Sequence, residues 1–452
     1  MKSGSPPSSE HNDNLIRTLC LLIVFGNMNM TMFNLAIPAI SSEFSLSPSR
    51  ASWVMAAYGI VMAIGAGAYG KLAEFFSFRR LYVVGLLLFA GGSLVGYFAR
   101  SYPQVIIGRL IQASGASSIS PLSYGIATRF TRPDNRGRVL GALSATIAFA
   151  SGFGPVCGGF IEQYAGWRAL FLVSGSVVFA LPLVIRYIPD TERRHGNFDP
   201  LGMALFSIAV AFILLGVAVN PLWWALGLAA SWEFWAHIKK SDRPFIRASL
   251  LRNTPYRRIL WIAFVTFLCN TGLMYILPIA MKSSFHLPTG SIGMLMVPGA
   301  ISAALLGSKI GRCCDRYGAL RILVISQWLV IAGFVVLGVL VRFLPWIDAI
   351  ILILLMVGFN GMLTASGKLV SQPLAEPEIG MGMGIFTLAY LLGGAFGPAI
   401  VGRILDFKAA PGAIFYGLAS IGLLSFLISL TAMNTKRLST VPMVERFFKE
   451  DT

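Results

Sequence analysis

Gly152-Phe153-Gly154-Pro155-Val156-Cys157-Gly158-Gly159 lies inside an apolar run from Val139 to Ile161. At 1.5 Å per residue, about 20 such residues cross a bilayer core as a helix. Four glycines and a proline would weaken that helix in water. In a bilayer they are tolerated, because neighbouring helices re-satisfy the freed backbone groups. Glycine lets a second helix pack backbone to backbone, and proline releases one backbone bond so that the rod can bend. The stretch therefore reads as a bendable helix that rocks against a partner. Ordinary small-residue packing is the competing reading, and the surrounding chain decides between them.

Working outward, 56% of the 452 residues are hydrophobic and only 12% are charged, which excludes an ordinary soluble globule. The apolar residues form fourteen blocks of membrane-spanning length: 15–38, 51–71, 81–99, 103–128, 139–162, 168–188, 201–219, 221–238, 259–281, 289–310, 320–341, 346–372, 380–404 and 411–433. Residues 1–13 are polar and of mixed charge, and the first apolar run is too long for a signal peptide. A net charge of +17 would suggest nucleic acid in a soluble protein. Here the loops account for it. With the N-terminus inside, 27 lysines and arginines fall on inner segments and 7 on outer turns, leaving Arg109 and Lys368 within spans. The positive-inside rule then puts both termini in the cytoplasm. The five cysteines, Cys20, Cys157, Cys269, Cys313 and Cys314, read as free thiols. No histidine or second cysteine pair accompanies Cys313-Cys314, so no metal site is expected.

The chain repeats itself. Gly70-Lys71-Leu72-Ala73-Glu74-Phe75-Phe76-Ser77-Phe78-Arg79-Arg80 follows span 2. Gly311-Arg312-Cys313-Cys314-Asp315-Arg316-Tyr317-Gly318-Ala319-Leu320-Arg321 follows span 10, at an offset of 241. Gly154-Pro155 recurs as Gly397-Pro398, at an offset of 243. Two motifs at nearly one offset indicate a duplicated six-helix unit, spans 1–6 and 9–14, with spans 7 and 8 inserted between. Transporters use such repeats to build two halves that rock around a midplane site.

At these residues the chain resembles the major facilitator superfamily. Within it, the likeness is to the fourteen-span drug:proton antiporter group that includes the tetracycline exporters of Gram-positive bacteria. Thr31-Met32-Phe33-Asn34-Leu35-Ala36-Ile37-Pro38 resembles the first-span signature, and the two Gly70 and Gly311 loops resemble the superfamily loop motif. Arg109-Leu110-Ile111-Gln112-Ala113-Ser114-Gly115 resembles the fourth-span motif. Gly152–Gly159, followed by Gly166-Trp167-Arg168-Ala169-Leu170-Phe171, resembles the antiporter motif of span 5. Phe198-Asp199-Pro200-Leu201-Gly202, Asp242-Arg243-Pro244-Phe245 and Leu250-Leu251-Arg252-Asn253 resemble the segments flanking the inserted pair. The likeness implies gating roles for Gly70, Glu74, Arg79, Gly311, Asp315, Arg316 and Gly318 in the loops. It implies the same for Gly152, Gly154, Pro155, Gly159, Gly397 and Pro398 in the fifth span of each half.

Each charged group has a structural and a functional reading. Glu74 and Asp315 sit among arginines, where an acid pairs with nearby Arg and biases which packing of the halves is favoured; the alternative is a topogenic basic loop with a neutralising acid. Arg109 in span 4 is costly to bury and needs a partner or a wet cavity. The resemblance puts it on the proton or substrate route, against a fixed structural contact. Gln112 shares its face. Lys368 reads as snorkelling to the interface, and Gly367-Lys368 is no phosphate loop, since Met362 and Leu369 replace its required residues. Glu233 is read as the most deeply placed carboxylate, and His237 as interfacial. Many relatives carry an acid in span 1 or beside the glycines of span 13; here those places hold Asn29-Met30 and Leu392-Gly393-Gly394-Ala395. Asn29, Asn34, Gln112, Tyr124, Asn270, Tyr275, Gln327, Asn360 and Tyr390 are left to line an amide-rich, aromatic cavity, with Arg109 as its cation, or else to pack.

The expected molecule is all-α, with two six-helix bundles (14–190 and 259–434) joined by 191–258 carrying the inserted pair, between a disordered cytoplasmic tail 1–13 and a cytoplasmic tail 435–452. The expected activity is proton-coupled export of a small amphiphilic drug or metabolite from the plasma membrane. The expected molecule is a monomer that is not an enzyme, with no cofactor, metal or nucleic acid. A dedicated exporter of a metabolite such as a siderophore, and a membrane sensor that moves nothing, are the rival readings.

Overall fold

The computed structural model of the protein describes residues 9–434 apart from 74, 131–132, 191–198, 219, 242–247, 341–344 and 376–377. The expected tail 435–452, Glu74 and the Asp242–Phe245 motif lie outside the described residues. The helices follow in order: α1 (Ser9–Met32), α2 (Ile37–Glu43), α3 (Pro48–Leu72), α4 (Phe78–Tyr97), α5 (Tyr102–Ala116), α6 (Ile119–Phe130), α7 (Pro133–Ala165), α8 (Trp167–Gly175), a 3-10 turn (Ser176–Ala180), α9 (Leu181–Tyr187), α10 (Pro200–Ala218), α11 (Trp223–Lys240), α12 (Ala248–Arg252), α13 (Thr254–Phe285), α14 (Thr289–Tyr317), α15 (Ala319–Leu340), α16 (Pro345–Leu369), α17 (Ile379–Asp406) and α18 (Pro411–Asn434). Local chemistry sets the ends. The Ser77 hydroxyl accepts from Arg80 N at 3.3 Å, and Asn253 Oδ1 accepts from Tyr256 N at 3.2 Å. Gly318, at φ +91°, stops α14 in a conformation that disfavours side chains.

Among the described residues, twelve helices are long and apolar enough to cross a membrane. Two expected crossings fall short of that measure. Span 4 is divided into α5 and α6 at Ser117-Ser118, whose hydroxyls donate back to Ser114 O at 2.9 Å and Gly115 O at 2.8 Å and compete with the helix ladder. Span 8, α11, carries Glu233, Lys239 and Lys240 within its 18 residues. The helix α7 runs unbroken through Pro155, as α17 does through Pro398.

The same helix neighbours recur in the two halves. In the first, α1 packs on α7, α4 on α5, α3 on α5 and α4 on α8. In the second, α13 packs on α17, α15 on α16, α14 on α16 and α15 on α18. Detail repeats too: Thr31 Oγ1 donates to Met28 O at 3.2 Å beneath Gly154, and Thr271 Oγ1 to Leu268 O at 3.4 Å beneath Gly397. Each half buries its own core, one around Leu19, Leu22, Tyr82 and Phe89, the other around Tyr256, Leu273, Tyr275 and Phe334.

Two seams join the halves, α7 on α14 and α3 on α17. The inserted helix α10 covers one of them: Val210 and Leu214 pack with Ala56, Ile60, Ala395 and Ala399 across α3 and α17. The α10 and α11 helices are tied by His237 Nε2 at 2.8 Å from Asp199 Oδ1, while Asp199 also accepts from Gly202 N at 2.8 Å. His237 is thus a hydrogen-bond partner of Asp199 rather than only an interfacial ring.

Candidate functional site

The seams are closed at one end. There, Ser49 N donates to Asp406 Oδ1 at 3.1 Å, Tyr275 Oη to Pro48 O at 2.5 Å, and Gly290 N to Gln163 Oε1 at 3.0 Å. Glycine makes this approach possible. A side-chain carbon at Gly159 would stand 2.7 Å from Thr289 O, and one at Gly293 would stand 2.7 Å from Pro155 O. Midway, Gly59 faces Ala395 and Gly152 faces Ala300. Toward the far end, a carbon added at Gly70, Gly141, Gly311 or Gly384 would meet nothing within 4 Å.

A groove of about 510 Å³ follows the parted half of α7. It is lined by Arg17, Cys20, Leu21 and Val24 of α1 and by Ala145, Thr146 and Phe149 of α7. Ala145 and Phe149 precede Gly152 by seven and three residues, so they share its seam-facing side. The groove walls are apolar, with Thr146 and the Arg17 guanidinium as polar features.

The sequence-expected polar residues do not converge on one cavity. Three of them, Asn29, Arg109 and Gln112, meet in a sealed network inside the first half. Arg109 has no exposed surface. Its Nε donates to Val54 O at 3.2 Å, and its Nη1 to Asn29 Oδ1 at 2.9 Å and Gln112 Oε1 at 2.7 Å. The Phe33 and Tyr58 rings sandwich its Cζ at 4.1 and 3.9 Å. Beyond them, Gln112 Nε2 donates to Ser93 Oγ at 2.8 Å and Asn29 Nδ2 to Ser174 Oγ at 2.5 Å. The cation is held by carbonyls, amides and ring faces, and Nη2 has no partner. It is not the cavity's available counter-charge in this state. Asn34 is buried in the turn after α1, its Oδ1 unpaired. Tyr124 is half-buried on α6.

In the second half, Asn360 Nδ2 donates to Ala303 O at 3.0 Å, bridging α16 to α14. Asn270 Nδ2 lies 3.9 Å from Met356 Sδ, and Tyr390 stacks on Phe267 at 4.0 Å. Gln327 is buried with Ser425 and Ser429, donating at 3.1 Å to the one and accepting at 2.8 Å from the other. These residues tie helices together rather than forming a common wall.

The loop motifs resolve differently from expectation. The Asp315 partner is Lys368 Nζ at 2.5 Å, not an arginine, and the same ammonium donates to Gly311 O at 2.9 Å. Lys368 therefore caps the end of α14 from α16 instead of snorkelling free. In the first half Arg129 Nη1 donates to Ala73 O at 3.3 Å, past the end of α3. Arg129 and Lys368 are 239 apart, close to the repeat offset, a signal that was available in the sequence. Arg79 Nε donates to Ile188 O at 3.0 Å, with Nη1 3.7 Å from Asp190. Arg316 is exposed, beside the Tyr317 ring. Glu233 is exposed on α11. Asp348, two residues into expected span 12, is fully buried on α16 and was missed.

Comparison with known proteins places the chain. It is 27% identical over 415 residues to the Multidrug resistance protein B homolog of Mycobacterium tuberculosis, covering 87% of this chain and 77% of that one. It is 25% identical to the Riboflavin transporter RibZ of Clostridioides difficile, covering 68% and 69%. In fold it matches the peptide transporter POT in complex with alafosfalin, at a TM-score of 0.72 and 14% identity over 94% and 95% of the two chains. It also matches a bacterial homolog of the human lysosomal transporter Spinster, at 0.68 and 14% over 96% and 100%. The family model of the Major Facilitator Superfamily matches residues 19–246 and 259–447, and the chain belongs to that superfamily.

Proposed function

We propose that the protein is a proton-coupled exporter of small amphiphilic compounds, working by alternating access in the plasma membrane. The observation that carries this reading is the pair of seams, closed at the Pro48 and Gly290 end and parted at the Gly70 and Gly311 end. The basic residues crowd the parted end, so the positive-inside rule turns that end to the cytoplasm and makes this the inward-facing state. In this reading the chain crosses fourteen times, with α5 and α6 stacked as one crossing and α11 as another, and both termini inside. Residues 14–190 and 259–434 are the moving halves, and 191–258 carries the inserted pair.

An amphiphile enters the groove between α1 and α7 from the inner side, its apolar body on Val24 and Phe149 and its polar group toward Thr146 or Arg17. Closing the parted end and opening the other passes it outward. The proton gradient sets direction, each charge moved against 100 mV being worth about 2.3 kcal/mol. The Mycobacterium relative, named for multidrug resistance, supports the drug-exporter reading. The test is efflux from cells or inverted vesicles, screened across drugs and metabolites. Efflux that collapses with an uncoupler is expected. Efflux that survives it removes proton coupling, and transport of one metabolite alone points to a dedicated exporter.

A further inference from the structure

Asp348 stands in the first turn of α16, and its side chain has no exposed surface. Neither carboxyl oxygen has a hydrogen-bond partner. A carboxylate ion sealed from water with no donor is far more costly than the neutral acid, so the side chain carries a proton in this state. The contrast with Arg109 is chemical. A guanidinium cannot give up its proton and is surrounded by acceptors, whereas a carboxyl can take one up and become neutral.

Among the described residues, the helices packed against α16 offer Asp348 no countercharge. The nearest turns of α16 place Leu352 against Gly299 of α14 and Leu355 against Gly333 of α15. The outer half of α14 offers only Thr289, Ser291 and Ser302 as polar side chains; its ionisable groups, Lys309 onward, lie toward the other end. The helix α15 has Arg321, also at the other end. On α13, Tyr275 donates to Pro48 O, Lys282 is exposed in the last turn, and His286 follows as its cap. Arg342 lies outside the described residues. Nor does the repeat call for an acid. Pro345 and Pro103 open α16 and α5 at an offset of 242, and the turn matching Asp348 holds Val105 and Ile106. The carboxyl is an addition to the second half.

We propose that Asp348 is a proton-binding site of the transport cycle: the neutral acid holds the Pro48 end closed, and its ionisation favours opening of that end. The link runs through α14. Its first turns close on α7, through Gly290 to Gln163 and Gly293 to Pro155, and its next turns, at Gly299, seat Leu352 directly below Asp348. When α14 leaves α7, the α14–α16 contact is freed and external water reaches the carboxyl. Acid outside reprotonates it and lets the end close again. The site rests on the alternating-access reading above, and on proton exchange only for its use in coupling.

The test is made on purified full-length protein in nanodiscs without substrate. Spin labels replace Tyr164 and Ser291 at the closed end, and their distance is followed against pH. Wild type is expected to go from short at acid pH to long at alkaline pH. Asp348→Asn is expected to stay short throughout, and Asp348→Glu to keep the transition with a displaced midpoint. A transition unchanged in Asp348→Asn, or no transition in wild type, overturns the proposal. Should Asp348→Asn not fold, infrared spectroscopy of wild type and Asp348→Glu decides. A buried carboxylic-acid band that shifts between the two and disappears with opening supports the site, and its absence refutes it. In proteoliposomes, proton-driven exchange in Asp348→Asn is expected to fall at least tenfold. Full exchange in the variant sinks the site alone. A pH-dependent opening that drives no exchange in wild type sinks the exchanger reading alone.

Discussion

Arg109 shows what a single side chain asks of a membrane bundle. Its charge is matched from three helices and the turn after α1, through Val54, Asn29, Gln112 and the two rings. Lysine keeps the charge but has neither the planar fork nor the stacking face. Arg109→Lys is therefore expected to lose about 2–4 kcal/mol of stability, read as a lowered unfolding temperature in detergent, and Ser93→Ala about 1–2 kcal/mol by stranding Gln112. A second residue-scale test concerns Glu43, between α2 and the start of α8. Arg168 meets it at 2.6 and 3.0 Å and Trp167 Nε1 at 2.7 Å. The Arg168 hydrogen bonds chiefly, helped by the Trp167 bond, hold the Glu43 carboxyl below its ordinary value of 4.5 against a desolvation penalty that outweighs the Trp167 bond. A lowered folded value means stability present above about pH 4.5 and lost as pH falls through the lower value. Both side chains are over one-third exposed, which limits the effect to about 1 kcal/mol or less. Glu43→Gln is expected to be less stable than wild type at pH 7 and equal to it in strong acid. The sequence placed Arg109 and Gln112 on one face, since that follows from spacing. It could not show Asn29 arriving from α1, because that contact is tertiary. Asp348 was legible in principle as a lone acid inside an apolar block, and was passed over because it stands so near the block's edge.

At the scale of elements, glycine placement decides how closely the rods approach. Gly154 and Gly397 serve packing within a half, each over a threonine. Gly159 serves the seam, with a backbone carbonyl in the way of any added carbon. Gly159→Val is expected to push α7 from α14 and open the closed end, raising labelling of a cysteine placed at Ser291 several-fold while leaving the fold intact. Unchanged labelling would show that this contact does not hold the end shut. The sequence led to an expectation of fourteen crossings, and twelve described helices meet the length and hydropathy for one, because those are local properties. It merged α5 with α6 because the interruption comes from two serine hydroxyls inside an unbroken apolar run. It did not separate the two jobs of the glycines, since both require the same residue.

At the scale of the molecule, a duplicated motif led to the expectation of two halves, and the neighbour pattern of α1–α9 recurs in α13–α18. What the sequence could not carry is the state. Both conformations of the proposed alternating cycle would use the same helices, and contacts such as Ser49 to Asp406, with the open space at Gly70 and Gly384, arise only in the folded molecule. The inserted α10 also breaks the symmetry by covering the α3–α17 seam alone. The most direct test of the whole is a paired distance measurement across both ends of one molecule, between Ser49 and Asp406 and between Gly70 and Gly384, with and without substrate and a proton gradient. The expected result is reciprocal change, the first pair lengthening as the second shortens. Two distances that stay fixed, or that lengthen together, would contradict alternating access in this protein.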